Sequence, residues 1–412
     1  MMGGTAIALA AAALALAGPA GPRPDAALPS TEVVAPLPAP GPRFKLFPIP
    51  MYTTVPTEGS TYGVMPVLMA VNGAGEVRAI TAPSISWNSA AGVTATVRLY
   101  LFPNPQRVAS LIASASSHVN RTIWITYNDL PVSVGRMTWE LDGMLRRNIF
   151  YRFFGLGPDS SKSDQSSYTR TTARLSARWG LNLPGHFNVG VRGGVRGDRP
   201  IQNPIFGLPA TQELFPSVAG LDGAGMATAE ASVRFDTRAH AEFSDQGVAS
   251  ELRAAYVRAL TGFDDFGQVI WHTRALWPET RFLQGAARLY WTDDVGAGRD
   301  TPFFYQAMLG GEGLLRGFPE DRFIDRAAWE AEVEQRIRLY QSHIFDVTTD
   351  WRIDPFAAVG QVYGTVDQIV ARPQVAVGMG LRAWVKPNIL GRVDLAYASD
   401  GLNAYIVLGY PY

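Results

Sequence analysis

The sequence predicts an all-β protein, a transmembrane antiparallel β-barrel of about 16 strands. After residue 44 no uninterrupted apolar run reaches the roughly 18 residues that a membrane-spanning helix needs. Many segments of about 10 residues instead alternate with a period of two, as β-strands do. The polar positions of these segments carry charges of both signs, which is typical of a barrel with an apolar outer face and a charged lumen.

The segment TRTTARLSARWGLNL shows the alternation most clearly. One face collects apolar and small residues, namely Thr171, Ala173, Leu175, Ala177, Trp179 and Leu181. The other face is basic and polar, with Arg170, Thr172, Arg174, Ser176 and Arg178. A soluble β-sandwich also alternates, but its polar face meets bulk water and rarely carries both charge signs on strand after strand. Since single-chain bacterial barrels use even numbers of strands, we expect sixteen, or one more if residues 107–129 contain two crossings.

The chain divides into three predicted regions. Residues 1–20 form an Ala/Leu-rich segment that ends in small residues, and this pattern predicts a signal peptide. Residues 21–43 are rich in proline and alanine, which favours an extended linker. Residues 44–412 form the predicted outer-membrane barrel.

Composition argues against several functional classes. The 36 basic and 36 acidic residues cancel, so no net field would attract nucleic acid. The chain has no cysteine, and its five histidines lack metal-ligand spacing, so we expect no metal site. Neither a Gly-x-Ser-x-Gly motif nor a phosphate-binding loop occurs in the barrel. We therefore expect neither a cofactor nor enzymatic activity.

Three long loops are predicted, over about 148–165, 198–221 and 294–327, on the extracellular side. The third, here called the latch loop, contains LGGEGLLRGF at residues 309–318. This stretch is too rich in glycine for a helix interior and alternates too poorly for an ordinary strand. Its only charged residues are Glu312 and Arg316.

The end of this stretch, LLRGF, resembles a signature of the outer-membrane protein assembly factor and bacterial surface antigen superfamily. Other stretches are similar to that family in order and spacing: FPIPMYTTVPTEG at 47–59, FFGLGPDSS at 153–161, FDTRAHAEFSDQG at 235–247 and VGMGLRAWVKPNILGRVDLAYA at 377–398. Together they extend over nearly the whole predicted barrel. The resemblance implies a sixteen-stranded barrel whose sixth extracellular loop folds back into the lumen.

The resemblance also implies roles for particular residues. The loop tip would act as a latch in the lumen, formed by Gly310, Gly311, Leu315, Arg316, Gly317 and Phe318. The arginine would need carboxylate partners in bidentate geometry. The family's Glu-x-Arg element is kept at Glu334 and Arg336, so Glu334 is the first expected partner of the arginine and Glu332 the second. Relatives commonly carry an aspartate where this chain has Ala358, so one carboxylate is missing. The alternative is that Arg316 is a solvated loop residue.

Barrels of this family are thought to open laterally between the first and last strands. The sequence places Pro66 in the expected first strand and Gly409, Pro411 and the C-terminal Tyr412 in the last. A proline cannot donate a hydrogen bond to a neighbouring strand, so these residues predict a weak lateral seam. Alternatively, both prolines lie at strand ends where no such bond is needed.

The resemblance places the chain in the bacterial outer membrane, in contact with its lipid. It implies a role in the insertion or export of polypeptide, or of lipid, through the seam. The expected partners are unfolded outer-membrane proteins or another client polypeptide. A periplasmic accessory protein is a further expected partner, because residues 21–43 are too short for a polypeptide-transport-associated domain. The alternatives are a passive or gated pore and a surface antigen without transport activity.

Overall fold

Nearly all the strands of the computed structural model belong to one closed antiparallel sheet. The structure describes residues 43–72, 77–104, 106–238, 244–344, 347–385 and 389–408. The strands in chain order are β1 (Arg43–Val55), β2 (Gly59–Val71), β3 (Val77–Thr81), β4 (Ser84–Asn88), β5 (Gly92–Asn104), β6 (Arg107–Ser116), β7 (Arg121–Asp129), β8 (Met137–Phe153), β9 (Ser166–Leu183), β10 (Phe187–Ile201), β11 (Ala224–Asp236), β12 (Gly247–Thr261), β13 (Phe266–Pro278), β14 (Leu283–Val295), β15 (Ala307–Leu309), β16 (Phe323–Asp325), β17 (Ala327–Ile344), β18 (Val347–Tyr363), β19 (Gln374–Val385), β20 (Ile389–Ala398) and β21 (Gly401–Leu408).

Consecutive wall strands pair with one another, and β21 meets β1 to close the barrel. Strands β3 and β4 share one position between β2 and β5. Pro83 lies in the break between them. The wall therefore has 18 positions among the described strands, while β15 and β16 form a separate ribbon.

The predicted fold class is confirmed, but the expected count of sixteen strands is two too low. Residues 43–55 form a complete strand ahead of the one that contains Pro66, and residues 107–129 contain two crossings rather than one. The strand signal of each segment is local, whereas the strand count depends on where the chain turns.

The predicted alternation separates a lipid-facing surface from a charged interior. Leu175 and Val333 point outward, with 63% and 59% of their surface exposed. Five of the twelve largest fully buried side chains, by contrast, are arginines, including Arg178 and Arg382. This inversion of a soluble protein's pattern is expected when the outer face meets hydrocarbon and the interior is a polar lumen.

The two ends of the barrel differ in the length of their connections. At the short-turn end, connections such as 184–186 and 279–282 are tight. At the long-loop end, the longest connections are 154–165, 202–223 and the latch loop, residues 296–326. The latch loop is the seventh connection at this end, not the predicted sixth, because the hairpin β1–β2 adds one.

Helical structure is sparse in the described residues. A single α-helical turn, α1 (Thr211–Leu214), lies in the loop after β10. None of the helices described is long and apolar enough to cross a membrane. The predicted signal peptide and nearly all of the predicted linker lie outside the described residues.

Candidate functional site at the latch and the seam

The latch loop folds back into the lumen and packs against the inner wall. Its ribbon β15–β16 lies at the base of the loop. The tip residues Leu315 and Phe318, both fully buried, belong to an apolar cluster with Ala358 and Ala376 of the wall. Ala358, where the resemblance implied an aspartate, is thus part of an apolar surface that receives the loop.

Arg316 binds two carboxylates of β17 at the tip of the loop. Its Nε and Nη2 donate to the two carboxylate oxygens of Glu332, at 3.0 and 2.7 Å. Nη2 also donates to Glu334, at 2.8 Å. The guanidinium lies 3.6 Å from the ring centroid of Phe356, a cation–π arrangement. The predicted contact between Arg316 and Glu334 is therefore present, and Glu332 supplies the bidentate geometry.

Carboxylates of other strands complete this site. Asp394 on β20 lies 3.6 Å from Nη1 of Arg316 and 2.6 Å from Nη1 of Arg382. Arg382 also contacts Asp354 on β18, at 3.0 Å. These two aspartates provide negative charge that Ala358 cannot. Because all these side chains are buried, each charge depends on its partners for compensation.

The other predicted latch partner, Arg336, lies beside the site rather than in it. Its Nε donates to Glu334 at 2.8 Å, on the oxygen opposite to the one that Arg316 contacts. Arg288 plays a similar part for the neighbouring Glu330, at 2.7 Å. The backbone N–H of Leu315 donates to the same carboxylate, at 3.0 Å. The loop tip is thus held by its main chain as well as by its arginine.

Gly317 allows the loop tip to approach the wall. Its φ of 126° lies in a region that residues with a Cβ rarely adopt. A Cβ at this position would stand 2.8 Å from the Cβ of Ala376 on β19. Gly310 is similarly confined, because its Cβ would stand 2.3 Å from the carbonyl oxygen of Pro319, whereas the predicted Gly311 faces the side chain of Glu320.

We expect the substitution Gly317→Ala to displace the tip from the wall. Gly296→Ala is the matched control, since Gly296 lies in the same loop at a φ of 88° with open space around it. The control should lower the free energy of unfolding by only about 1–2 kcal/mol, the usual cost of a left-handed backbone. Gly317→Ala should cost more and should expose the loop to proteinase K. Equal losses in the two variants would show that close packing against Ala376 is unimportant.

The loop tip also contacts the last described strand. The side chains of Asn403 and Tyr405 on β21 donate to the carbonyl oxygens of Gly317 and Phe318, each at 2.5 Å. Nearby, Arg392 donates to Glu312 of the loop at 3.0 Å. Burial raises the pKa of the Glu312 carboxyl, and the positive charge of Arg392 opposes this shift. The latch is therefore joined directly to the strand that closes the barrel.

An aromatic anchor holds the start of the latch loop. Phe303 is fully buried, and its ring centroid lies 4.5 Å from that of Phe153 and 5.3 Å from that of Tyr168. Phe304 and Tyr305 belong to the same cluster. The anchor joins the loop to β8 and β9, on a different part of the wall from the latch.

The turns of the two hairpins next to the closure, β1–β2 and β20–β21, are held by side chains from other parts of the long-loop end. Arg322 of the latch loop contacts Asp400, in the turn between β20 and β21, at 2.6 Å. Lys162 donates to the carbonyl oxygen of Asp400, also at 2.6 Å. On the other side, Arg152 of β8 donates at 2.8 Å to the carbonyl oxygen of Thr57, in the β1–β2 turn.

The seam between β1 and β21 contains one register pair, Thr54 with Ile406, among the described residues. By contrast, β1 and β2 are paired along their full length, from Arg43–Val71 to Val55–Gly59. Strand β1 extends towards the short-turn end beyond the described part of β21. Within the described part of the chain, the closure is thus much shorter than any other contact between full wall strands.

The sequence-based account of the seam needs one correction. Pro66 lies on β2, opposite Pro48 of β1, and is not at the closure. Among the described residues, the short contact at the closure reflects the stagger of β1 against β21, and Pro66 takes no part in it. Gly409, Pro411 and Tyr412 lie outside the described residues. Sequence reasoning also missed Asp394, Asn403 and Tyr405 as contacts of the latch, although the family resemblance of residues 377–398 had marked the strand that carries Asp394.

The family comparison agrees with this architecture. Residues 138–403 match the model of the Omp85 superfamily domain. No sequence among curated proteins is significantly similar to the chain.

Solved structures have a similar fold at low identity. A structure of BamA from Haemophilus ducreyi, lacking POTRA domains 1–3, is similar with a TM-score of 0.55 and 13% identity, over 88% of this chain and 75% of that one. CdiB from Escherichia coli is similar with a TM-score of 0.50 and 14% identity, over 91% of this chain and 63% of that one. CdiB from Acinetobacter baumannii is similar with a TM-score of 0.50 and 12% identity, over 90% of this chain and 66% of that one. The chain thus spans somewhat less than two thirds of the length of the CdiB chains.

The family match covers well over half of the chain, from β8 to β21. It includes the latch loop, its carboxylate partners and the first residues of β21. The chain therefore belongs to the Omp85 superfamily, and its barrel lies in the bacterial outer membrane.

Proposed function

We propose that this barrel helps polypeptide enter or cross the outer membrane through the seam between β1 and β21. The observation that carries the proposal is that the described residues contain a single register pair at the closure. Along residues 43–53, the edge of β1 has no partner on β21 within the described part of the chain. An unpaired strand edge can template an incoming strand by main-chain hydrogen bonding.

The outer face of β1 suits an incoming strand in a membrane. Phe44 and Leu46 point outward, with 66% and 64% of their surface exposed. A client strand that pairs with this edge would continue the apolar outer surface of the barrel. The contacts of Asn403 and Tyr405 with the latch loop provide a route by which the latch affects β21.

A disulfide across the seam provides the direct test. Thr54 and Ile406 are direct antiparallel partners, whose Cα atoms are expected to lie about 4.5–5.5 Å apart, a separation that a disulfide can bridge. The chain has no cysteine of its own, so Thr54→Cys with Ile406→Cys forms a unique pair. The matched control, Thr54→Cys with Ser60→Cys, links β1 to β2 and leaves the seam free.

We expect liposomes that contain the protein to speed the folding of a second, unrelated outer-membrane barrel. Oxidation of the seam pair should abolish this effect, and reduction should restore it. The control pair should remain active in both states. Full activity of the oxidised seam variant would exclude the lateral route.

An outer-membrane pore is the alternative function. The lumen next to β10–β12 supports it, because Arg192 and Arg253 remain partly exposed there, with 23% and 34% of their side-chain surface accessible. The docked latch loop argues against an open channel. Conductance across the same liposomes distinguishes the two functions, and a surface antigen would show neither activity.

A further inference from the structure

Three arginines lie in one row across the outer surface of the barrel. Register pairs join Arg121 on β7 to Arg147 on β8, Arg147 to Thr171 on β9, and Thr171 to Arg199 on β10. All four side chains are exposed. Since neighbouring strands lie about 4.8 Å apart, the row extends over roughly 15 Å.

The row lacks the carboxylates that neutralise most other arginines of this chain. Within the part of the chain that the structure describes, the ion pairs with carboxylates include none from Arg121, Arg147 or Arg199. Among the described residues, the hydrogen bonds of the Arg121 side chain go to the backbone carbonyl oxygens of Ser116 and Asn120. Direct cross-strand pairing of Arg121 with Arg147 places like charges side by side, which is unfavourable unless an anion lies between them.

Arg258 on β12 shows the contrast. It also points outward near the long-loop end, but Asp265 neutralises it at 2.7 Å. The missing carboxylates are therefore a property of the row and not of every outward arginine at this end of the barrel.

The apolar surface beside the row indicates what kind of anion would fit. Two residues along the same faces of β7 and β8, Ile123 and Leu145 have 49% and 59% of their surface exposed. On β10, Val195 occupies the corresponding outer face with 52% exposed. A ligand that reaches the arginines from the side must therefore also cover apolar surface, as an amphiphile does.

The position of the row along the barrel agrees with the boundary between hydrocarbon and headgroups. The outward Trp139, with 46% of its surface exposed, lies on β8 near the short-turn end, where interfacial aromatic residues are expected. From Trp139 to Arg147 the strand rises about 26 Å, or roughly 20 Å across the membrane at the usual tilt. This distance is close to the height of the apolar band of such barrels, about 25 Å.

We propose that Arg121, Arg147 and Arg199, with the hydroxyl of Thr171, bind the phosphate groups of a phosphorylated lipid in the leaflet at the long-loop end. Each guanidinium presents a planar set of donors that matches phosphate oxygens, and the acyl chains lie along Ile123, Leu145 and Val195. The site lies on β7–β10, far around the wall from the seam, so it is independent of the proposed function.

Native mass spectrometry of the full chain in non-ionic detergent tests the site. The probe is lipid A carrying two phosphates, titrated in mixed micelles, and the comparison probe is the same glycolipid after removal of both phosphates. The variant combines Arg121→Gln, Arg147→Gln and Arg199→Gln, and the control is Arg258→Gln. Heat-modifiable migration on gels establishes that each barrel is folded; should the triple variant not fold, Arg147→Gln and Arg199→Gln are tested singly.

We expect the wild type and the Arg258→Gln control to bind the phosphorylated lipid equally. Since each arginine near an anionic lipid surface contributes roughly fivefold in affinity, the triple variant should bind at least about 20-fold more weakly. Either single variant should bind roughly fivefold more weakly. The dephosphorylated lipid should bind weakly to all of them.

Four results would overturn the proposal. Equal binding of the two lipids, or equal binding by the triple variant, would show that the arginines do not recognise the lipid phosphates. Competition by inorganic phosphate alone at millimolar concentration would indicate a free-anion site without a lipid component. Soluble polyglutamate serves as a further probe. If the triple variant loses binding to polyglutamate while its lipid binding is unchanged, the row recognises an acidic protein surface instead.

Discussion

The substitution Arg316→Ala is expected to release the latch loop and to lower the free energy of unfolding by about 3–5 kcal/mol, because it leaves Glu332 and Glu334 buried without their shared cation. The contact with the ring of Phe356 is lost as well. Denaturant titration in detergent micelles measures the change in stability. Proteinase K digestion reports release of the loop.

Two further variants make this result specific. Arg316→Lys keeps a positive charge but cannot form the bidentate pair with Glu332. Its loss of unfolding free energy should therefore be smaller than that of Arg316→Ala but still measurable. Arg299→Ala removes an exposed arginine from the same loop and should change stability by less than about 0.5 kcal/mol. If Arg316→Ala leaves the loop protected from the protease, the latch does not hold the loop in place.

The substitution Phe303→Ala is expected to lower the free energy of unfolding by about as much as Arg316→Ala does, but by a different mechanism. Truncating a fully buried aromatic ring typically lowers the free energy of unfolding by about 3–5 kcal/mol. The cavity would open between the loop and Phe153 and Tyr168 of the wall. Phe282→Ala, at an exposed phenylalanine in a short turn, is the matched control.

Combining Phe303→Ala with Arg316→Ala tests whether the two anchors hold one loop. If they do, release at either anchor weakens the other, and the double variant should lose less stability than the sum of the single losses. Strict additivity would mean that the two ends of the loop dock independently. The same denaturant titration measures all three variants.

The Arg316→Ala variant also bears on the proposed function. Release of the tip removes the contacts that Asn403 and Tyr405 make with the loop, and so frees β21 from the lumen side. The outer contact between Arg322 and Asp400 would remain in Arg316→Ala. A change in client folding by this variant, measured with the seam disulfide open and closed, would establish whether the latch acts through the seam.

The face to which each strand residue points could be predicted from the sequence. In β9, the predicted outward Leu175 and inward Arg178 lie as expected, because side-chain alternation follows from the geometry of a single strand. The contact of Arg316 with Glu334 was also accessible from sequence. A lone arginine in a glycine-rich loop needs a carboxylate nearby, and the resemblance supplied its position.

The strand count, the position of the closure and the groups that meet across distant strands depend on how the whole barrel folds. Pro66 lies on the second strand because residues 43–55 pair ahead of it. Asp394 approaches Arg316, and Arg121, Arg147 and Arg199 fall into one row, because of the registers between neighbouring strands. Those registers depend on the turns and on the stagger with which the whole sheet closes, and no single strand contains that information.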